Sequence, residues 1–147
     1  MMKAKPFLQQ IEKLDKMIEN KTFEVEYWKS IANGTTAQMG GERVQSSGSQ
    51  QKMADAVVKY IELENEVANQ IDILIDTKKD VIRVIEQLDP IEYDLLHKHY
   101  VQHFTLYEIA SLYGNSYSWA TTIHGRALKN VQNILDGRKQ CNKVQLL

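Results

Sequence analysis

The sequence predicts an all-α protein. A long antiparallel helical hairpin with coiled-coil-like packing is expected first, then a C-terminal three-helix unit containing a helix-turn-helix. Three observations carry this. Apolar residues recur at three- and four-residue steps from Phe7 to Ala32 and again from Met53 to Leu88. Only 2 prolines and 7 glycines interrupt 147 residues. Beyond residue 88 the helices become short, and helix-start and helix-stop residues crowd together.

In the first expected helix, residues 6–33, the apolar positions are Phe7, Ile11, Leu14, Ile18, Val25, Trp28 and Ala32, with Lys21 as the one break. That spacing makes a narrow seam along one helix face. Asn33-Gly34 and Gly40-Gly41 then end the helix, because these residues accept positive φ. The second expected helix, residues 49–87, has a seam at Met53, Val57, Tyr60, Glu64, Val67, Ile71, Leu74, Lys78, Val81, Ile85 and Leu88. A companion row at Ile61, Ala68, Ile75 and Ile82 widens it at seven-residue spacing. The loop at 34–48 is too short to return the chain along either helix, so the two helices pair in opposite directions. The second helix outruns the first, and the unmatched part of its seam calls for the C-terminal unit or a second copy of the chain.

The connector itself, "GGERVQSSGSQQ", invites comparison with a phosphate loop. It lacks the lysine that such a loop needs and follows a helix rather than a strand. Ser47 with Gln50 instead fits a capping box, which satisfies the first free amides of a helix. Arg43 beside that helix start is a lesser candidate for holding an anion.

The C-terminal unit is expected over residues 88–138, leaving 139–147 as a tail. Asp89-Pro90 opens a helix ending near Gln102, with Ile91, Leu95, Leu96 and Tyr100 on its buried face. Thr105 and Glu108 form a Thr-x-x-Glu capping box at the start of a short helix. Gly114-Asn115-Ser116 makes a tight turn, with Gly114 left-handed and Ser116 capping a last helix from Tyr117 to about Leu135. Ala110 is small where two helices cross, while Ile109 and Ile123 fill the angle between them. A short helix, a glycine turn and a longer helix form the helix-turn-helix pattern, whose second helix enters the major groove of DNA. With Ala120, Ile123 and Ala127 buried, Ser118, Thr121, Thr122, Gly125 and Lys129 face outward.

Residues 94–131, "DLLHKHYVQHFTLYEIASLYGNSYSWATTIHGRALKNV", resemble region 4 of the sigma-70 factors, which reads the −35 promoter element. The likeness lies in Leu-x-x-x-Tyr, Thr-Leu-x-Glu-Ile-Ala, Gly-x-Ser and Arg-Ala-Leu, and spans about a quarter of the chain. The longer pattern, from "GERVQSSGSQQKMADAV" into a heptad helix, is similar to small phage-encoded proteins near the ArpU/RinA type of late-gene transcription regulators. The resemblance implies a DNA-binding transcription regulator acting on promoter or operator DNA. It implies base and phosphate contacts by Tyr117, Ser118, Thr121 and Thr122, and phosphate contacts by Arg126 and Lys129. Thr105 and Ser116 would meet the backbone at helix starts. RNA polymerase is a further partner that it implies. The arginines and glutamine usual on the region 4 reading helix are replaced here by tyrosine, serine, tryptophan and threonine. Weak binding by an isolated monomer is therefore expected, which favours a homo-oligomer, a dimer first. Trp119 is expected to pack against the preceding helix.

Charge agrees in sign. The net charge is −1, yet residues 1–94 hold 12 basic against 17 acidic residues, and residues 95–147 hold 6 against 2 with all 4 histidines. An anionic partner is expected to dock C-terminally. No apolar run reaches membrane-spanning length and no apolar signal core follows the first residues, so a cytoplasmic protein without membrane contact is expected. The single Cys141 excludes an internal disulfide. His99 and His103 have the spacing of a zinc pair, but no cysteine or carboxylate completes a site, so neither metal nor cofactor is expected. No nucleophile motif or acid–base pair argues for an enzyme. Two rival readings remain. One is a phage DNA-packaging subunit resembling a small terminase subunit. The other is a module that binds RNA polymerase without touching DNA.

Overall fold

The computed structural model of the chain describes residues 2–34 and 47–145. Those residues form helices and turns, with no strand among them. The helices are α1 (Ala4–Ala32), α2 (Ser47–Ile85), α3 (Pro90–Leu96), α4 (Leu106–Leu112) and α5 (Tyr117–Gln145). One π-helical turn, His97–Val101, continues α3. The connector at 35–46 lies outside the described residues, Arg43 with it, as do the side chains of Ser47 and Cys141.

The chain packs as two compact units, one of Leu14–Leu74 and one of Met1–Lys13 with Ile75–Leu147. The sequence placed the boundary near residue 87; the contacts give the start of α1 and the end of α2 to the C-terminal unit. The reason is core size. Helices as short as α3 and α4 bury few side chains, and Phe7, Leu8, Ile11, Val81, Val84 and Ile85, all buried, supplement Leu95, Leu96 and Ile109.

Within the Leu14–Leu74 unit, the contacts between α1 and α2 run in reverse order along the two helices. Lys21 pairs with Glu66 and Lys29 with Glu64, and a Cβ on Gly34 would stand 3.6 Å from Met53 Cε. Gly34 takes φ +71, which ends α1 as its sequence predicts. The expected seam of α2 is covered at nine of its eleven positions: Leu74, Val81 and Ile85 are buried, and Met53, Val57, Tyr60, Val67, Lys78 and Leu88 are half-buried. Ala56 and Leu63 are buried and Gln70 half-buried, whereas Glu64 and Ile71 of the expected seam are exposed. The companion row is open as well: Ile61 and Ile75 remain 46% and 45% exposed. Hydropathy selected the wrong companion row, because Gln70 and Thr77 interrupt the one that is covered with Ala56, Leu63 and Val84. That choice leaves Gln70 Oε1 buried without a hydrogen-bond partner, a cost that apolar patterning would not predict.

In the other unit, α3 and α4 both pack on α5. Ala120, Ile123, Ala127 and Val131 of α5 are buried, as are Ile109 and Ala110 of α4. Ala4 N–H donates to Gln132 Oε1 at 2.8 Å, and Arg138 meets Asp80 at 3.0 Å. Asp89 precedes α3 with Pro90 in its first turn, but its side chain makes no capping bond. Helix α5 runs on to Gln145 rather than ending near Leu135.

The polar core of this unit is Glu92, only 1% exposed. Its Oε1 accepts from Arg126 Nε at 2.8 Å and from Asn130 Nδ2 at 3.0 Å, and Oε2 accepts from Asn130 Nδ2 at 3.0 Å. Arg126 and Asn130 lie four residues apart on one face of α5, so a single carboxylate fixes both the rotation and the height of α5 against α3. Replacing Arg126 with methionine leaves the buried carboxylate short of its cation and is expected to lower the unfolding free energy by roughly 2–3 kcal/mol. The Glu92→Met/Arg126→Met double variant is expected to recover most of that loss, because no buried charge then remains. Urea titrations of the two variants and the wild type check this; a double variant weaker than Arg126→Met contradicts it.

Candidate nucleic-acid interface

The turn between α4 and α5 forms as its residues predict. Thr105 Oγ1 accepts from Glu108 N–H at 3.1 Å, and Ser116 Oγ accepts from Trp119 N–H at 3.1 Å. Gly114 takes φ +63, and a Cβ there would meet nothing within 4 Å, so the left-handed backbone rather than crowding selects glycine. Asn115 N–H closes the turn on Ala110 C=O at 2.9 Å. In each cap the hydroxyl oxygen is an acceptor, which leaves its proton free to be donated outward.

On α5, Ser118, Thr122, Gly125 and Lys129 are exposed, and Thr121 is half-buried. They form a row of small or hydroxyl-bearing residues on the side opposite Ala120, Ile123 and Ala127. Thr121 and Thr122 both donate their hydroxyl protons to Ser118 C=O, at 2.8 and 2.9 Å. In this state their oxygens are outward acceptors, suited to the exocyclic amines of adenine or cytosine rather than to phosphate. Gly125 has no neighbour within 4 Å of a Cβ position, so its bare backbone lets another surface approach closely. Arg126 spends Nε on Glu92 while its side chain stays 52% exposed, so the far edge of the guanidinium still faces out. Lys129 has no ion-pair partner among the described residues.

Trp119 is half-buried and lies 5.3 Å from Tyr113, so it packs back on the end of α4. Tyr113 in turn donates to Asp94; burial, and then that bond, push its phenol up to about 12. Burial alone would raise the Asp94 carboxyl, but the bonds from Lys98 and Tyr113 outweigh it and hold the group below its ordinary range. Sequence reasoning missed Tyr107, which is 72% exposed on α4 with its ring 6.3 Å from that of Tyr117, itself 53% exposed. It also missed Glu92 and Asn130; the only advance signal was a glutamate among apolar neighbours facing an Arg-x-x-x-Asn pair.

The π-helical turn after α3 closes through Gln102 N–H to His97 C=O at 3.0 Å. It turns Tyr100 toward α5, where Tyr100 Oη lies 2.7 Å from His124 Nε2. Burial raises the Tyr100 phenol to about 12, and burial, His99 and Lys5 lower the His124 imidazole to about 4. With both groups neutral the phenol donates to Nε2, which puts the ring proton on Nδ1. His99 Nδ1 donates to Phe104 C=O at 2.7 Å, which ties the ring to the chain that leads into α4. His103 follows with φ 67, a left-handed conformation rare for a non-glycine residue.

Neither a protein-family model, nor a curated protein, nor a solved structure matches this chain.

A depressed histidine has a defined consequence for pH. The unfolded chain protonates His124 below its ordinary value of 6.5, while the folded chain resists until about 4. Stability from this site is therefore complete above pH 6.5 and is lost as pH falls through that interval. The urea midpoint is expected to decline from pH 6.5 toward 4.5, before the depressed carboxylates of Asp94 and Glu66 contribute. In His124→Gln the decline over the same interval is expected to flatten.

Proposed function

We propose that the chain is a sequence-specific DNA-binding transcription regulator of the sigma-region-4-like kind, with α4, the Gly114 turn and α5 acting as its helix-turn-helix. In this reading α1 and α2 form an antiparallel hairpin for assembly or partner contact. The observation that supports it best is the exposed row Ser118, Thr122, Gly125 and Lys129 on a helix whose opposite side is buried at Ala120, Ile123, Ala127 and Val131. A recognition helix needs a rigid back and a slim polar front, and the first three turns of α5 have both. Thr122 reads a base edge as an acceptor, and Tyr117, Ser118 and Thr121 line the same groove. The free protons of Thr105 and Ser116 go to the DNA backbone, and Lys129 and the outer edge of Arg126 neutralise phosphates. Glu92 then serves recognition indirectly by holding the helix that carries these groups. Operator half-sites read by a homodimer would compensate for so few contacts per protomer.

Protein contact by the same unit is the second reading, favoured by Leu112, which stands 63% exposed on α4. Its signature would be capture of RNA polymerase with no mobility shift on any duplex.

The test is selection of bound duplexes from a random pool, followed by salt titration. Thr122→Ala is expected to change base preference at one position. Lys129→Ala is expected to weaken all sequences alike, by roughly three- to tenfold. With two cations facing DNA, each protomer is expected to give a slope of about −2 in log affinity against log salt, and Lys129→Ala to lower its magnitude by about 1. Unchanged motif and affinity in both variants remove α5 as the reader.

A further inference from the structure

The largest exposed aromatic surface of the Leu14–Leu74 unit has no role in the DNA reading. Phe23 is 73% exposed and Tyr27 is 50% exposed, four residues apart on α1 and so on one face. That face points away from the seam, whose residues Val25 and Leu63 are buried. Single exposed apolar residues are ordinary, but here a phenyl and a phenol share one helix face, and the Tyr27 ring is braced edge-on by Trp28 at 5.3 Å.

Its surroundings are acidic. Glu19, Glu24 and Glu26 are all exposed and flank the aromatic pair on both sides. The cations of this stretch are engaged: Lys21 is bound to Glu66 and Lys29 to Glu64 at 2.8 Å, and Lys16, on the same face about two turns before Phe23, is not free either. Glu64 accordingly holds the Lys29 ammonium above its ordinary value, with Glu26 adding to the effect. Over residues 14–74 as a whole, acidic side chains outnumber basic ones by 10 to 6. Such a surface repels DNA and anionic lipid and attracts cations.

We propose that this face of α1 binds a cationic amphipathic helix of a protein partner. The apolar residues of that helix cover Phe23 and Tyr27, and its arginines or lysines meet Glu19, Glu24 and Glu26. Arginine suits the rim doubly, pairing with carboxylates and stacking over the faces of the rings. Aromatic centres with a charged rim are the usual form of a small helix-binding hot spot. The proposal is independent of the DNA reading, since it concerns a different unit and a different chemistry.

The test uses the full chain and a fluorescently labelled helical peptide of leucines at three- and four-residue spacing with arginines on both flanks. Fluorescence anisotropy is expected to show binding that weakens with salt and drops at least tenfold in Phe23→Ser/Tyr27→Ser. Glu19→Lys/Glu24→Lys is expected to abolish it. Both variants change exposed residues, and circular dichroism confirms that their helix content is retained. A scrambled peptide of the same charge that binds equally well overturns the proposal, because then charge alone is at work. Binding left unchanged by both double variants also overturns it. So does sedimentation showing that the wild type self-associates through this face and that Phe23→Ser/Tyr27→Ser makes it monomeric, since the occupant is then a second copy.

Discussion

One carboxylate sets the geometry on which the C-terminal unit depends. Glu92 is enclosed by the fold, and a charge in that position is tolerated only while Arg126 and Asn130 supply its hydrogen bonds. Apolar packing of Leu95, Ile109 and Val131 brings the helices together without specifying their rotation. The carboxylate specifies it, since both donors lie on one face of α5 and only one rotation of that helix presents both. Which residues of α5 look outward is thus decided on its inner side. The same arginine that closes the clamp also reaches the surface, so the internal and external chemistry of α5 share a residue.

The surfaces of the chain divide by chemistry. The outward row on α5 is neutral and slender, built of hydroxyls and a bare glycine, with few cations. The outer face of α1 is aromatic and acidic. On the readings proposed above the two faces take different partners, the α5 row a nucleic acid and the α1 face a basic protein segment, because the carboxylates of α1 repel a polyanion.

Much of this was legible in the sequence wherever local chemistry decides conformation. The left-handed glycines at 34 and 114, the caps at Thr105 and Ser116, and the buried alanines of α5 all follow from residue type and spacing. The covered flank of α2 was not legible. Two neighbouring heptad rows compete there, and the one with fewer polar interruptions is the one left open. Hydropathy alone cannot weigh a half-buried Gln70 against an exposed Ile75. The Asp89 side chain made no cap although its position suits one, since the backbone and proline already define that start. Contacts between residues far apart in sequence, such as Glu92 with Asn130 or Tyr100 with His124, leave no periodic trace. The outward row on α5 was foreseen from the positions of its buried residues, whereas Tyr107 was not, because an exposed aromatic breaks no pattern.

The single π-helical turn at His97–Val101 has a consequence for how this chain can vary. A π turn holds one residue more than the α turn it replaces. Within it each residue advances through a smaller angle than in α winding, so Tyr100 stands on a face that regular winding out of α3 would not give it, and from that face its hydroxyl reaches His124. Straightening the turn at constant chain length would carry Tyr100 off that line, whereas removing a residue ahead of Tyr100 would straighten it and leave Tyr100 and all that follows close to where they stand. Variation in length at this corner is thus tolerable on one side of the tyrosine and costly on the other.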